Sequence, residues 1–256
     1  QAYVAQTPLS ITGNYNCIFA VSNAVAGVIQ SLGRNLNTLS AWTRFTTQEL
    51  FSLETDPEFA DPVNRDNHIK TTVPLGRRLP NGDLTSDGVD SPLIDAGAPT
   101  SAFINEPEPN GRRVNIGLYG NTWQESISPT NSRLKVGSLA AGGGVNGLVQ
   151  LHWVAAGPVT GGQIKVEYSL NGGGVWALLT NSVSASREWI RWDTTALNDT
   201  PAGLWRVVSL TDSNVVSQST RCFSVRNSPL QIFVNDGRTN DDMYTSAPGN
   251  AANWAA

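Results

Sequence analysis

The residues of this chain that could do chemistry are few and mostly scattered. His68 and His152 stand at no metal-ligand spacing from each other or from the two cysteines, Cys17 and Cys222. Two isolated thiols do not make a metal site. Both cysteines therefore read as small buried hydrophobes, with a long-range disulfide as the alternative. Both histidines read as structural. A nucleophile elbow needs Gly-x-Ser-x-Gly, which does not occur. The run Ala141-Gly142-Gly143-Gly144 lacks the Lys-Ser/Thr that completes a phosphate loop and reads as a hairpin.

Two acidic groups remain. Asp83, Asp87, Asp90 and Asp95 lie near Lys70, Arg77 and Arg78. A polysaccharide lyase needs that mixture: a base beside carboxylates that hold calcium and the substrate acid. The spacing follows no twelve-residue calcium loop, so these groups read as solvated turns. The densest cluster is Asp236, Asn240, Asp241 and Asp242. Calcium takes six to eight oxygen ligands, which makes Asp236, Asp241 and Asp242 its candidate ligands and calcium the one candidate cofactor. Turn-forming Asp and Asn are the competing reading. The sequon at Asn198-Asp199-Thr200 carries little weight.

Aromatic rings are the other resource. Trp153, Trp176, Trp189, Trp192 and Trp205 fall within or beside predicted strands, and such rings are core residues unless several share one wet face. Trp189 and Trp192 have opposite parity, so one of them faces outward. The pair are the candidate ligand-binding rings, for a glycan.

The elements that must carry these residues are strands. With 24 Gly and 14 Pro but 15% charged residues, the composition suits short strands joined by tight turns. Residues 148–154 and 164–168 alternate apolar and polar side chains, as antiparallel strands with one wet face do. With segments near 134–139, 175–179, 189–193, 204–208 and 222–225 they make seven strands, an antiparallel sandwich over 134–227. Residues 126–133 read as a polar linker. Residues 1–125 hold short strands near 18–21 and 25–29, a helical turn or two after Thr38 or Ser40, and many turn signals. A region so poor in regular elements rarely builds its own core. Residues 228–256 hold one strand, Leu230-Gln231-Ile232-Phe233-Val234, and a polar tail. The chain begins with Gln1 and reads as a segment of something longer.

A net charge of −4 with no basic cluster argues against nucleic acid. No run of 18 apolar residues marks a membrane span.

Three stretches occur in a telling order: Asp56-Pro57-Glu58-Phe59, then Ser91-Pro92-Leu93-Ile94-Asp95-Ala96-Gly97, then Gly117-Leu118-Tyr119-Gly120. Together, over residues 14–122, they resemble the closing coils of right-handed parallel β-helix domains in very large secreted or surface bacterial proteins. Phe233-Val234-Asn235-Asp236 and Pro248-Gly249-Asn250 resemble the start of another such helix, although Ala251, Trp254 and Ala255 depart from the family's usual Asp and Gly there. The sandwich between them resembles immunoglobulin-like or fibronectin type III-like spacers. The resemblance implies an all-β chain: the C-terminal cap of a parallel β-helix (1–125), a linker (126–133), an immunoglobulin-like sandwich (134–227) and a strand opening a further β-helix (228–256). It also implies a non-enzymatic structural segment of an extracellular or cell-surface protein. That segment would self-associate or join neighbouring modules by strand addition through Ile232, Phe233 and Val234, because an open edge offers unpaired N–H and C=O groups. A carbohydrate-binding module and the non-catalytic end of a lyase are the alternatives.

Overall fold

The computed structural model describes residues 3–5, 11–20 and 24–228. The assembly strand Ile232–Val234 and the candidate calcium ligands Asp236, Asp241 and Asp242 lie outside the described residues. Strands hold 34% of the described residues and helices 10%, and no barrel closes among them, so the fold is all-β.

The N-terminal layer is built from short pieces. β1 (Tyr3–Ala5) pairs in parallel with β2 (Gly27–Ile29), which pairs antiparallel with β3 (Arg34–Leu36). α1 (Leu39–Thr46) begins where Thr38 Oγ1 accepts the Ala41 N–H at 3.1 Å, so Thr38 is the N-cap. Leu39, Trp42 and Thr46 share its buried face, and Trp42 packs with Ala5, Ile29 and Leu36. Two small hairpins follow: β4 (Phe59–Asp61) with β5 (Asp66–Ile69), then β6 (Arg77–Arg78) with β7 (Leu84–Thr85). Among the described residues of the expected strand near 18–21, pairing is limited to one parallel bridge beside them, between Cys17 and Leu53.

The C-terminal half is two sheets packed face to face. β8 (Arg133–Val136), β9 (Gly143–Val145), β10 (Leu148–Ala156) and β11 (Gln163–Ser169) lead into β12 (Ala177–Ser184), β13 (Trp189–Asp193), β14 (Thr200–Ser209), β15 (Val216–Gln218) and β16 (Phe223–Val225). One sheet has the order β13-β10-β8; the other runs β12-β11-β14-β16-β9, with β15 also on β14. Leu151, Trp153 and Trp192 from the first sheet meet Val166, Trp205 and Phe223 from the second in one core.

The glycine run is not a hairpin. Gly143–Val145 pairs in parallel with β16, so the chain leaves one sheet after β8 and joins the edge of the other. Gly142 and Gly143 carry φ of 98° and 121° at this crossing. A Cβ on Gly143 would meet Ser40 Oγ at 2.8 Å, so a side chain there is excluded by conformation and by space.

The expectation of one wet face on β10 also fails. Leu151, Trp153 and Ala155 enter the sandwich core, while Val154 enters a second cluster with Leu53, Ile69, Leu93, Ile94 and Ala96. Residues 151–156 are therefore buried on both faces. The N-terminal layer covers the outer face of the three-stranded sheet.

Candidate functional site

The densest chemistry in the described residues lies at this seam between the N-terminal layer and the sandwich. The segment expected to be a polar linker is stitched into it. Ile127 N–H donates to the Gly76 carbonyl at 2.8 Å, and its own carbonyl accepts from Thr71 Oγ1 at 2.9 Å. Ser128 N–H donates to Pro109 O at 2.9 Å and its hydroxyl to Asp95 Oδ1 at 2.7 Å. Glu125, Ser126, Ser128 and Pro129 are all buried. The start of the connector is thus bonded into the N-terminal layer rather than exposed.

Asp95 is the hub of the network. Its flanking residues Leu93, Ile94 and Ala96 are core, which draws the carboxylate inward. There it accepts from Arg133 Nη2 at 2.5 Å, while its N–H donates to Asn115 Oδ1 at 2.7 Å. Burial raises its pKa, opposed by the Ser128 hydroxyl and the Arg133 charge. The reading of Asp95 as a solvated turn is thus corrected: it is 2% exposed. Asp87 is likewise engaged, gripped by Arg77 Nε at 2.8 Å and Nη2 at 2.9 Å, and Arg77 is itself buried.

Arg113 makes the second link. Its Nε donates to Gly97 O at 2.6 Å and its Nη1 to Glu188 Oε1 at 2.5 Å. Glu188 belongs to the turn before β13, with φ of 60°, and its Oε1 also accepts the Ala155 N–H at 3.0 Å. Both side chains are nearly closed to solvent, at 11% and 8% exposure. The pair bridges 75 positions of sequence, and nothing local in Arg187-Glu188-Trp189 announced it.

The histidines are structural in geometry. His68 Nδ1 lies 2.6 Å from Asp66 Oδ1 and its ring stacks on Tyr119 at 4.0 Å. Its Nε2 is buried with no hydrogen-bond partner, so no hydroxyl or thiol stands in line with the dyad. His152 projects from β10 into the seam, edge-on to Phe51 at 5.2 Å, and both ring nitrogens lack partners. Burial and the nearby Arg113 charge push its pKa down to about 3, so the ring is neutral. Two further acids lie at the seam: Glu106 Oε1 accepts from the N–H groups of Asn115 and Asn121, and burial pushes Glu125 up to about 7. Among the described residues no three His, Cys, Asp or Glu side chains converge as a metal-binding group.

The predicted rings separate as their parity required. Trp192 is 3% exposed and packs on Tyr168 and Phe223 in the core. It is therefore closed to a ligand, which corrects its assignment as a binding ring. Trp189 is half-buried, with the Arg187 guanidinium 4.8 Å over its ring. It lines an open groove of about 600 Å³ between β12 and β13, beside Leu179, Val183 and Ile190. Both cysteines are free thiols. Cys222 is exposed rather than buried, whereas Cys17 donates to Thr55 O at 3.4 Å and burial pushes it up to about 11.

No family model matches the chain, and no curated protein matches it in sequence.

Proposed function

We propose that this chain is a non-catalytic structural segment of a large extracellular or cell-surface protein, in which a β-helix end is locked to an immunoglobulin-like sandwich. The observation that carries the reading is the seam. A buried ion pair, a buried carboxylate hub and a shared apolar cluster join halves that a mere tether would leave independent. Inter-domain contacts are by default mobile unless large and apolar, so a joint of this kind serves to hold an angle. The parallel pairing of β1 with β2 and the parallel Cys17–Leu53 bridge support the reading of the first half as stacked coils. The sheet-switching first strand and the orders β13-β10-β8 and β12-β11-β14-β16-β9 support the immunoglobulin-like reading of the second.

Among the described residues the outer edges of β12 and β13 carry no partner strand, and strand addition there joins this chain to copies or neighbouring modules. A second reading, glycan binding, is favoured by Trp189 in the groove between those edges. Sedimentation of the full chain over a range of concentrations, with incubation against neutral and uronic-acid polysaccharides, separates the readings. Reversible concentration-dependent assembly without bond cleavage is expected. Cleavage of any polymer, or a strict monomer at high concentration, overturns the structural assignment.

A further inference from the structure

Where α1 crosses the end of the sandwich a cavity of about 450 Å³ opens. Small-ligand sites span roughly 300–1,000 Å³, are mostly apolar with a few placed polar groups, and favour boundaries between structural units. This one fits on each count. Leu39 and Leu50 of the N-terminal layer and Leu139, Val145 and Val149 of the sandwich supply its apolar wall.

Its polar groups are unbalanced in one direction. Gln150 Nε2 is buried and has no acceptor, although a buried donor left without a partner is destabilising. Arg44 in the last turn of α1 donates to Asn146 Oδ1 at 2.6 Å, but it enters no ion pair, and neither does Arg191, among the described residues. The two carboxylates of the wall are already engaged. Glu49 accepts from Asn16 Nδ2 at 3.0 and 3.1 Å and from the Ser52 hydroxyl. Glu54 accepts the Leu39 N–H at 3.1 Å, and burial pushes its carboxyl up to about 7, so it carries less than a full charge at neutral pH. Two guanidiniums and one amide N–H are left for a guest.

We propose that this cavity binds a small organic carboxylate, its charged end held by Arg44, Arg191 and the Gln150 amide and its apolar body laid on the leucine and valine wall. Both guanidiniums are exposed at the cavity mouth, so a carboxylate gains by exchanging water for charge-assisted hydrogen bonds that a neutral guest makes only weakly, and a cation is disfavoured beside them. This site is independent of the structural role proposed above.

The test is calorimetric titration of the full chain with 2-naphthoate, 2-naphthylmethanol and 2-naphthylmethylamine. Saturable one-to-one binding of naphthoate is expected, about tenfold tighter than the alcohol, the worth of roughly one charge-assisted hydrogen bond. Combining Arg44→Gln with Arg191→Gln removes that preference, so that acid and alcohol bind with equal affinity in the double variant. The amine does not bind detectably, and Thr43→Trp, which fills the cavity, abolishes binding of the acid and the alcohol. Should Thr43→Trp fail to fold by thermal melting, Leu148→Trp, at an exposed position on the rim, replaces it. Absence of saturable naphthoate binding at millimolar concentration, equal affinity for acid and alcohol, or undiminished binding in the filled variant overturns the proposal.

Discussion

Truncating Glu188 to alanine tests the seam most directly. The change removes the acceptor of Arg113 Nη1 at 2.5 Å and of the Ala155 N–H at 3.0 Å, and strands a guanidinium that is only 11% exposed. Breaking a buried pair from one side costs about 3–5 kcal/mol, because the remaining charge has no water to turn to. For a chain of this size 1 kcal/mol shifts Tm by roughly 2–4 °C, so Glu188→Ala lowers Tm by about 10 °C. Removing both charges together, as Arg113→Met with Glu188→Gln, recovers much of that loss, since well-packed neutral groups replace a buried pair at little cost. Differential scanning calorimetry also reads the coupling. The native chain unfolds in one transition, whereas Glu188→Ala splits it as the sandwich parts from the N-terminal layer. A Tm loss under about 2 °C would refute the reasoning, as would single-variant effects that simply add in the double variant.

Glu125 and Glu54 are both pushed up to about 7 by burial, so the folded state prefers their neutral forms. Their stabilising contribution is complete below the unfolded carboxyl pKa and is lost as pH rises towards 7; urea unfolding at pH 5 and 7.5 should show it, and Glu125→Gln should flatten the profile. His152 acts in the opposite sense: with its folded pKa down at about 3, stability is lost as pH falls below its unfolded value near 6.5, and His152→Gln reduces that acid sensitivity. Gly111 holds φ of 58° and a Cβ there would stand 2.0 Å from Asp95 Oδ1; Gly111→Ala therefore displaces the hub and costs about 2–3 kcal/mol in chemical denaturation. Trp192→Ala opens the core and costs about 3–5 kcal/mol, while Trp189→Ala leaves Tm within a few degrees; the reverse order of effects would contradict the assigned faces.

Local pattern made part of this molecule legible from the amino-acid sequence. Period-two alternation placed the strands around Val149–Val154 and Ile164–Tyr168, because a pleat turns successive side chains to opposite faces whatever surrounds it. Thr38 and Ser40 both offered a cap for α1, because a cap acts within four residues, and the structure uses Thr38. The opposite parity of Trp189 and Trp192 was equally local, but which ring turned inward was not. Only the second sheet, bringing Tyr168 and Phe223 over β13, decided it.

What the tertiary structure alone decided is the seam. Alternation shows two faces of β10 but cannot show that the N-terminal layer covers the outer one, where His152 and Val154 are buried. The Arg113–Glu188 and Asp95–Arg133 pairs join residues 75 and 38 positions apart, and a charge's partner in space leaves no trace in its neighbours along the chain. The glycine run obeyed the same division. Its composition permitted a positive φ, and the strand waiting at β16 turned an expected hairpin into a crossing between sheets.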